Sequence, residues 1–288
     1  MKMETTFPPI IQASELLKLY TSASIIIIDA RSGKEAKSNY ESKHLEGALF
    51  LDLDKDLAEV NNDPSIGGRH PLPKIEDFAK TLSTIGLSKK SHVVIYDDKN
   101  GSNAAARLWW MLKSIGHEKV QVLNGGIQEA EKVNFPMSSK SEVIKKTEGY
   151  EFYDWKLPLA DLDEVEKVAQ MENRTVIDVR DADRYHGKVE PIDLIAGHIP
   201  GAINIPYSEN LSENGLFLSP SDLKDKYEDI FKKTESKNII VHCGSGVTAC
   251  HTLLAMAYAG LEIPKLYVGS WSEWSRNDKP IATLNSRK

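Results

Sequence analysis

Two cysteines in 288 residues exclude a disulfide-stapled scaffold, which needs several paired thiols. They stand only seven positions apart, without a His pair at ligand spacing, so a zinc site is not expected. No apolar run approaches the ~18 residues of a membrane-spanning helix. The first twelve residues, MKMETTFPPIIQ, hold no apolar core long enough for a secretory signal. Basic charge is also in deficit: 36 Lys and Arg against 42 Asp and Glu leave a formal net charge of −6. Neither a nucleic acid nor an anionic membrane surface would be attracted by the chain as a whole. These absences point to a soluble protein of a reducing cytoplasm. A hydrophobic content of 41% and a charged content of 27% are ordinary for globular chains, and the length suggests two domains of roughly 100 to 200 residues each.

What is present comes in pairs. Residues 25–32 read IIIIDARS and residues 175–181 read TVIDVRD, each a β-branched run entering Asp-x-Arg. HLEGA at 44–48 answers HIPGA at 198–202, and HVVIYDD at 92–98 answers NIIVHCG at 238–244. Asp29 and Asp178 stand 149 residues apart, His44 and His198 154, Tyr96 and His242 146. Near-constant spacing indicates a duplicated domain, because solenoid repeats are only ~20 to 50 residues long. Strands alternating with helices in each half predict parallel α/β sheets flanked by helices. The expected division is residues 1–137, a polar linker at 138–156, and residues 157–288.

The halves differ where chemistry would sit. Residues 242–250 read HCGSGVTAC, following the apolar run Ile239-Ile240-Val241 and preceding a long apolar stretch, so the order is strand, tight loop, helix. Open parallel sheets bind ligands beyond the C-terminal ends of their strands, which is where this loop falls. Gly244 and Gly246 let the backbone curl with its N–H groups inward, and a helix starting near Val247 adds the positive end of its dipole. That arrangement favours an anion, and Cys243 is the candidate nucleophile. A cysteine after a strand is often only a small core residue; Ser245 and Thr248 tip the balance, since a buried structural thiol has no use for a ring of hydroxyls. Cys250 lies inside the apolar helix and is read as packing. In the first half Asp97 takes the place of Cys243, so that half cannot supply a thiolate. Asp97 and Asp98 are read as part of a turn, not a metal site, because the calcium-loop register fails at Tyr96.

The HCGSGVTAC loop, the duplicated Asp-x-Arg and HIPGA landmarks, the first half with Asp for Cys, and GSWSEW at residues 269–274 together resemble the two-domain rhodanese family. The neutral CGSGVT loop is similar to its 3-mercaptopyruvate sulfurtransferase branch. The resemblance implies that Cys243 takes sulfur from 3-mercaptopyruvate, or alternatively from thiosulfate, as a persulfide. It then passes the sulfur to cyanide, a small thiol or thioredoxin, with no cofactor and no metal. It implies a proton relay of Ser245, His70 (in RHPLP) and Asp54 (in LDLD). Loop groups from Gly244 through Ser245, Gly246 and Val247 to Thr248 would stabilise the anion. Arg184, in DADRYHG, matches one of two substrate-binding arginines that the family carries. The other position holds Ile192, and Arg69 or Arg107, assigned to the first domain, would compensate.

Two other classes compete. A cysteine phosphatase needs Arg six residues after its Cys to grip a phosphate dianion; here Ala249 stands there. A non-enzymatic rhodanese-like binding module would have no reason to keep the Cys243 loop intact. A Cys–His hydrolase using His242 is disfavoured because adjacent residues on a strand point to opposite faces.

Overall fold

The structure, a computed structural model, describes residues 7–22, 24–144, 149–152 and 154–284. The chain forms two compact units, Met1–Asp56 with Lys74–Lys156, and Leu57–Pro73 with Leu157–Lys288. In the first unit, strands β1 (Ile10–Ile11), β2 (Ile25–Asp29), β3 (Ala48–Phe50), β4 (His92–Tyr96) and β5 (Val120–Leu123) lie in the order β1-β5-β4-β2-β3. The second unit has β6 (Leu159–Ala160), β7 (Thr175–Asp178), β8 (Ile203–Asn204), β9 (Ile239–His242) and β10 (Lys265–Tyr267). Their order, β6-β10-β9-β7-β8, repeats the first when the strands are matched in chain order. All pairings within these two sheets are parallel.

Parallel sheets are covered on both faces, so their central strands read as continuous apolar runs instead of alternating ones. IIIID and HVVIY in the first unit and TVID and IIVH in the second are such strands, and β9 is buried at all its positions. The helices after the central strands are also apolar nearly all round: Ala104–Ser114 and Ala249–Tyr258 bury almost every residue, as expected of helices enclosed by other elements. Helix Pro220–Lys233 shows a surface pattern instead. It buries Leu223 and Tyr227 on one face, and starts with Ser219 capping the Asp222 N–H and Pro at the first turn.

The paired sequence landmarks are paired structural locks. Arg31 binds the Asp29 carboxylate through Nε and Nη2 and donates from Nη2 to the Lys43 carbonyl at 2.7 Å. Arg180 does the same with Asp178 and the Gly197 carbonyl, also 2.7 Å. Tyr40 stacks on His44 at 4.1 Å, and Tyr185 on His198 at 3.8 Å. Each tyrosine hydroxyl donates to the carbonyl of the alanine that ends HLEGA or HIPGA, and each histidine Nδ1 bonds the carbonyl of its stacking residue. Asp-x-Arg and His-x-x-Gly-Ala thus serve to anchor the loops around the first long strand of each half.

Residues 57–73 depart from the expected division, in which the whole of 1–137 forms one domain. They pack with the second unit. The Gly67 N–H donates to Glu273 Oε1, the Arg69 N–H to Ser272 Oγ, and Asn277 Nδ2 to the Ser65 carbonyl. Gly68 has φ +80° and lies so close to Gly269 that a Cβ would stand 2.4 Å from its carbonyl oxygen. Such long-range bonds have no local signature. The stretch read as a linker packs along the first unit, where Met137–Ser138 pairs antiparallel with His44–Leu45. Glu142 accepts from the Gly47 N–H, and buried Tyr150 bonds His117. Residues 145–148 and 153 of that stretch, like 1–6 at the start, lie outside the described residues.

Candidate active site

The turn that follows β9 is held by a serine from the turn that follows β10. Ser270 Oγ accepts from the Cys243 N–H at 3.2 Å and the Gly246 N–H at 3.0 Å, and donates to the Tyr267 carbonyl at 2.8 Å. Ser270 does so at φ +54°, a left-handed conformation that costs a non-glycine residue on the order of 1 kcal/mol. The backbone joins as well: the Trp271 and Ser272 N–H groups donate to the Cys243 and Gly244 carbonyls. Gly246 must be glycine, because it has φ +70° and a Cβ would meet the Val268 carbonyl oxygen at 2.5 Å. The N–H groups expected to face the anion are those from Gly244 to Thr248. The N–H groups of Gly246 and, before it, Cys243 are committed to Ser270 instead. Among the described residues, those of Gly244, Ser245, Val247 and Thr248 donate to no protein acceptor.

Cys243 is 2% exposed and has a free thiol. Thr248 stands at the N-cap position of helix Ala249–Tyr258 without a side-chain capping bond, so its hydroxyl is not spent on the helix. Cys250 is wholly buried, with its thiol donating to the Gly246 carbonyl at 3.4 Å, so it packs the loop from beneath. His242, beside Cys243 in sequence, is fully buried with Nε2 3.8 Å from Asp178 Oδ2. Burial pushes its imidazole down from the ordinary histidine range, against the pull of the Asp178 carboxylate.

Ser245 Oγ lies 2.7 Å from His70 Nδ1, so two residues 175 positions apart, paired by resemblance alone, are in hydrogen-bond contact. Arg69 is the neighbour of His70 in the same segment. Its Nη2 and the Nη2 of Arg184 lie 3.1 and 3.5 Å from where a Gly244 Cβ would stand. Two guanidiniums therefore border the loop that carries Cys243. Arg184 is held by Glu190 through a fork, at 2.7 and 3.1 Å, and burial of Glu190 is outweighed by that guanidinium together with the Asp193 and Ile192 N–H groups, so its carboxyl sits below the usual range. Arg180 bonds the same carboxylate at 3.2 Å and stacks 4.5 Å over the Trp271 ring.

Two of the expected residues, Asp54 and Arg107, are placed in the first unit. Asp54 lies in the short helix Leu53–Asp56, its N–H donating to Asp52 Oδ1. Arg107 is wholly buried in helix Ala104–Ser114. Ile192, at the position where a second arginine was sought, is 54% exposed. Arg69, assigned from the sequence to the first domain, belongs to the second unit.

Three residues were missed. Ser270 was visible only as part of GSWSEW, and Asp193 and Arg276 had no signal. Asp193 has a side chain with no exposed surface, 3.1 Å from Arg69 Nε, 3.0 Å from Arg276 Nη1 and 3.4 Å from Arg184 Nη2.

Residues 12–132 and 161–277 each match the family model described as the rhodanese-like domain. The chain is 34% identical over 280 residues to a probable 3-mercaptopyruvate sulfurtransferase of Pseudomonas aeruginosa, covering 95% of this chain and 98% of that one. It is also 34% identical over 265 residues to the thiosulfate sulfurtransferase of Rattus norvegicus, covering 88% and 85%. Among solved structures, the 3-mercaptopyruvate sulfurtransferase from Leishmania major superposes with a TM-score of 0.80 at 29% identity, covering 93% of this chain and 74% of that one. Relatives with two different sulfur donors lie at equal identity, so the donor has to be argued from the site.

Proposed function

The chain belongs to the rhodanese family in both its halves and is a sulfurtransferase, and on that premise we propose that it moves sulfur from 3-mercaptopyruvate to a thiophilic acceptor through a persulfide on Cys243. The observation that carries the donor is the 2.7 Å contact between Ser245 and His70. Thiosulfate presents a sulfur with no proton to remove, whereas 3-mercaptopyruvate presents a thiol. A hydroxyl–imidazole pair next to the nucleophile has work only with the second.

In the proposed reaction the donor carboxylate lies against Arg69 and Arg184, which places its sulfur at Cys243. Ser245 and His70 take the donor's thiol proton as the Cys243 thiolate attacks that sulfur. An S–S bond forms, the C–S bond breaks, and its electron pair leaves as the enolate of pyruvate, which takes a proton at carbon. The persulfide anion is stabilised by the N–H groups of Gly244, Ser245, Val247 and Thr248 and by the Thr248 hydroxyl. An acceptor such as cyanide, a small thiol or thioredoxin then attacks the outer sulfur, and the Cys243 thiolate returns. Asp54, the third relay member that the resemblance implies, belongs to the first unit. Arg107 is assigned to the structure of the first unit, since its helix position is fully buried. The cytoplasm is the proposed compartment, on the free state of both thiols.

Intact-protein mass spectrometry after incubation with each donor tests this. Sulfur transfer by Cys243 adds about 32 Da, one sulfur atom, to the wild-type chain and nothing to Cys243→Ser. No adduct with either donor would refute the persulfide. Steady-state kcat/KM for both donors on one preparation decides between them: a preference for thiosulfate overturns the 3-mercaptopyruvate assignment and leaves thiosulfate:cyanide transfer by the same route.

A further inference from the structure

The guanidiniums beside the Cys243 loop enclose a carboxylate that no part of the reaction uses. Asp193 has no exposed side-chain surface, and its two oxygens are shared among Arg69, Arg184 and Arg276. Its Oδ2 lies 3.7 Å from the point where a Gly244 Cβ would stand, close behind the two arginine nitrogens at 3.1 and 3.5 Å. An anion resting on Gly244 therefore meets a positive surface with a fixed negative charge built into it. Burying a carboxylate is expensive unless it is paired, and three guanidiniums pair this one. What only the charge supplies is a change in the field.

Among the described residues, the direct ion pairs around the loop join four guanidiniums, Arg69, Arg180, Arg184 and Arg276, to three carboxylates, Asp178, Glu190 and Asp193. One positive charge is left over. A donor with one negative charge matches that surplus. A second negative charge on the donor finds no uncompensated guanidinium and faces Asp193 instead. We propose that Asp193 is a specificity-determining residue that sets the donor site for a monoanion, such as an α-keto thiol, and against a dianion, such as thiosulfate. The assignment rests on the sulfur-transfer reading for the identity of the donor, but its physical content is an anion preference that exists without turnover.

The test uses the purified full chain and Asp193→Asn, with Asp193→Glu as the conservative control. Calorimetric titration with pyruvate and with sulfate measures the two charge classes on unreactive anions, and kcat/KM for 3-mercaptopyruvate and thiosulfate measures them in reaction. In Asp193→Asn the sulfate Kd falls about tenfold relative to that of pyruvate, and the thiosulfate to 3-mercaptopyruvate ratio of kcat/KM rises by about the same factor. Asp193→Glu keeps the wild-type ratios. A residue that merely holds the arginines in place would weaken both anions and both donors in proportion, and unchanged ratios in Asp193→Asn overturn the proposal. If that variant does not fold, the wild-type chain decides: it must bind pyruvate more tightly than sulfate, and the reverse order overturns the proposal. Failure of the wild-type chain to load sulfur on Cys243 sinks the reaction, whereas the titrations still judge Asp193.

Discussion

The turn after Tyr96 and the turn after His242 leave equivalent strands and put the same backbone scaffold to opposite uses. In the first unit Asp97 turns its own carboxylate into the loop, where it accepts from the N–H groups of Lys99, Gly101, Asn103 and Ala105 at 2.8 to 3.3 Å. Burial pushes that carboxyl up from its ordinary range, and the four donors pull the other way. In the second unit Cys243 carries no such acceptor, and the loop N–H groups not taken by Ser270 stay available. The backbone around the two is otherwise alike: the Ile127 N–H donates to the Asp97 carbonyl as the Trp271 N–H does to that of Cys243, both at 3.1 Å. Gly126 occupies the left-handed position before Ile127 at φ +61°, and Ser270 occupies it before Trp271 at φ +54°. The first half uses the residue that adopts this conformation freely and closes its anion cradle with a built-in anion. The second half accepts strain at Ser270 to obtain a hydroxyl, and leaves its cradle without a built-in anion.

The comparison breaks most visibly at the nucleophile. Cys243→Ser should abolish sulfur transfer with either donor, by about a thousandfold or more, while the thermal midpoint moves little; comparable residual turnover would mean that the sulfur passes elsewhere. Asp97→Ala should do the opposite, leaving four N–H groups without their acceptor and lowering stability by about 3 kcal/mol, read by urea unfolding, with turnover per folded molecule retained. If it instead costs activity and not stability, the first cradle is not merely structural. Ser270→Gly makes the second loop resemble the first. It relieves strain but releases the Cys243 and Gly246 N–H groups, and kcat should drop about tenfold with little change in stability; an unchanged kcat would make Ser270 dispensable to the loop. Ser245→Ala should slow 3-mercaptopyruvate about tenfold more than thiosulfate, and equal slowing would remove Ser245 from the relay. Cys250→Ser should change kcat/KM by less than about twofold, since it deletes only a packed thiol bonded to the Gly246 carbonyl.

The duplication, the parallel sheets and the strand–turn–helix that carries the Cys243 thiol were legible in the chain because each is written in local order. β-Branched runs entering Asp-x-Arg, HLEGA and HIPGA, and a cysteine between glycines at the end of a strand all carry their meaning within ten residues. The anchoring role of Asp-x-Arg was less legible, because the landmark shows which residues recur and not which carbonyl the arginine reaches. Ser270 was present in a recognised string, yet nothing local indicates that its hydroxyl crosses to the neighbouring turn. The search for a second arginine at Ile192 failed for a related reason. Counting along the chain locates a position, but the second guanidinium beside Gly244, joining that of Arg184, comes from Arg69, 175 residues upstream of the loop and one of the two substitutes the sequence offers.

The sequence by itself determined two rhodanese-like halves, one with a thiol at the head of its buried helix and one without, since hydrophobic period, glycine placement and motif order are properties of short segments. Only the tertiary structure decided that residues 57–73 join the second unit, that His70 meets Ser245, and that a buried carboxylate sits among the arginines by Cys243. Those three depend on hydrogen bonds and ion pairs between residues far apart in the chain. Their partners are selected by burial and charge in the folded state, and no spacing in the sequence records them.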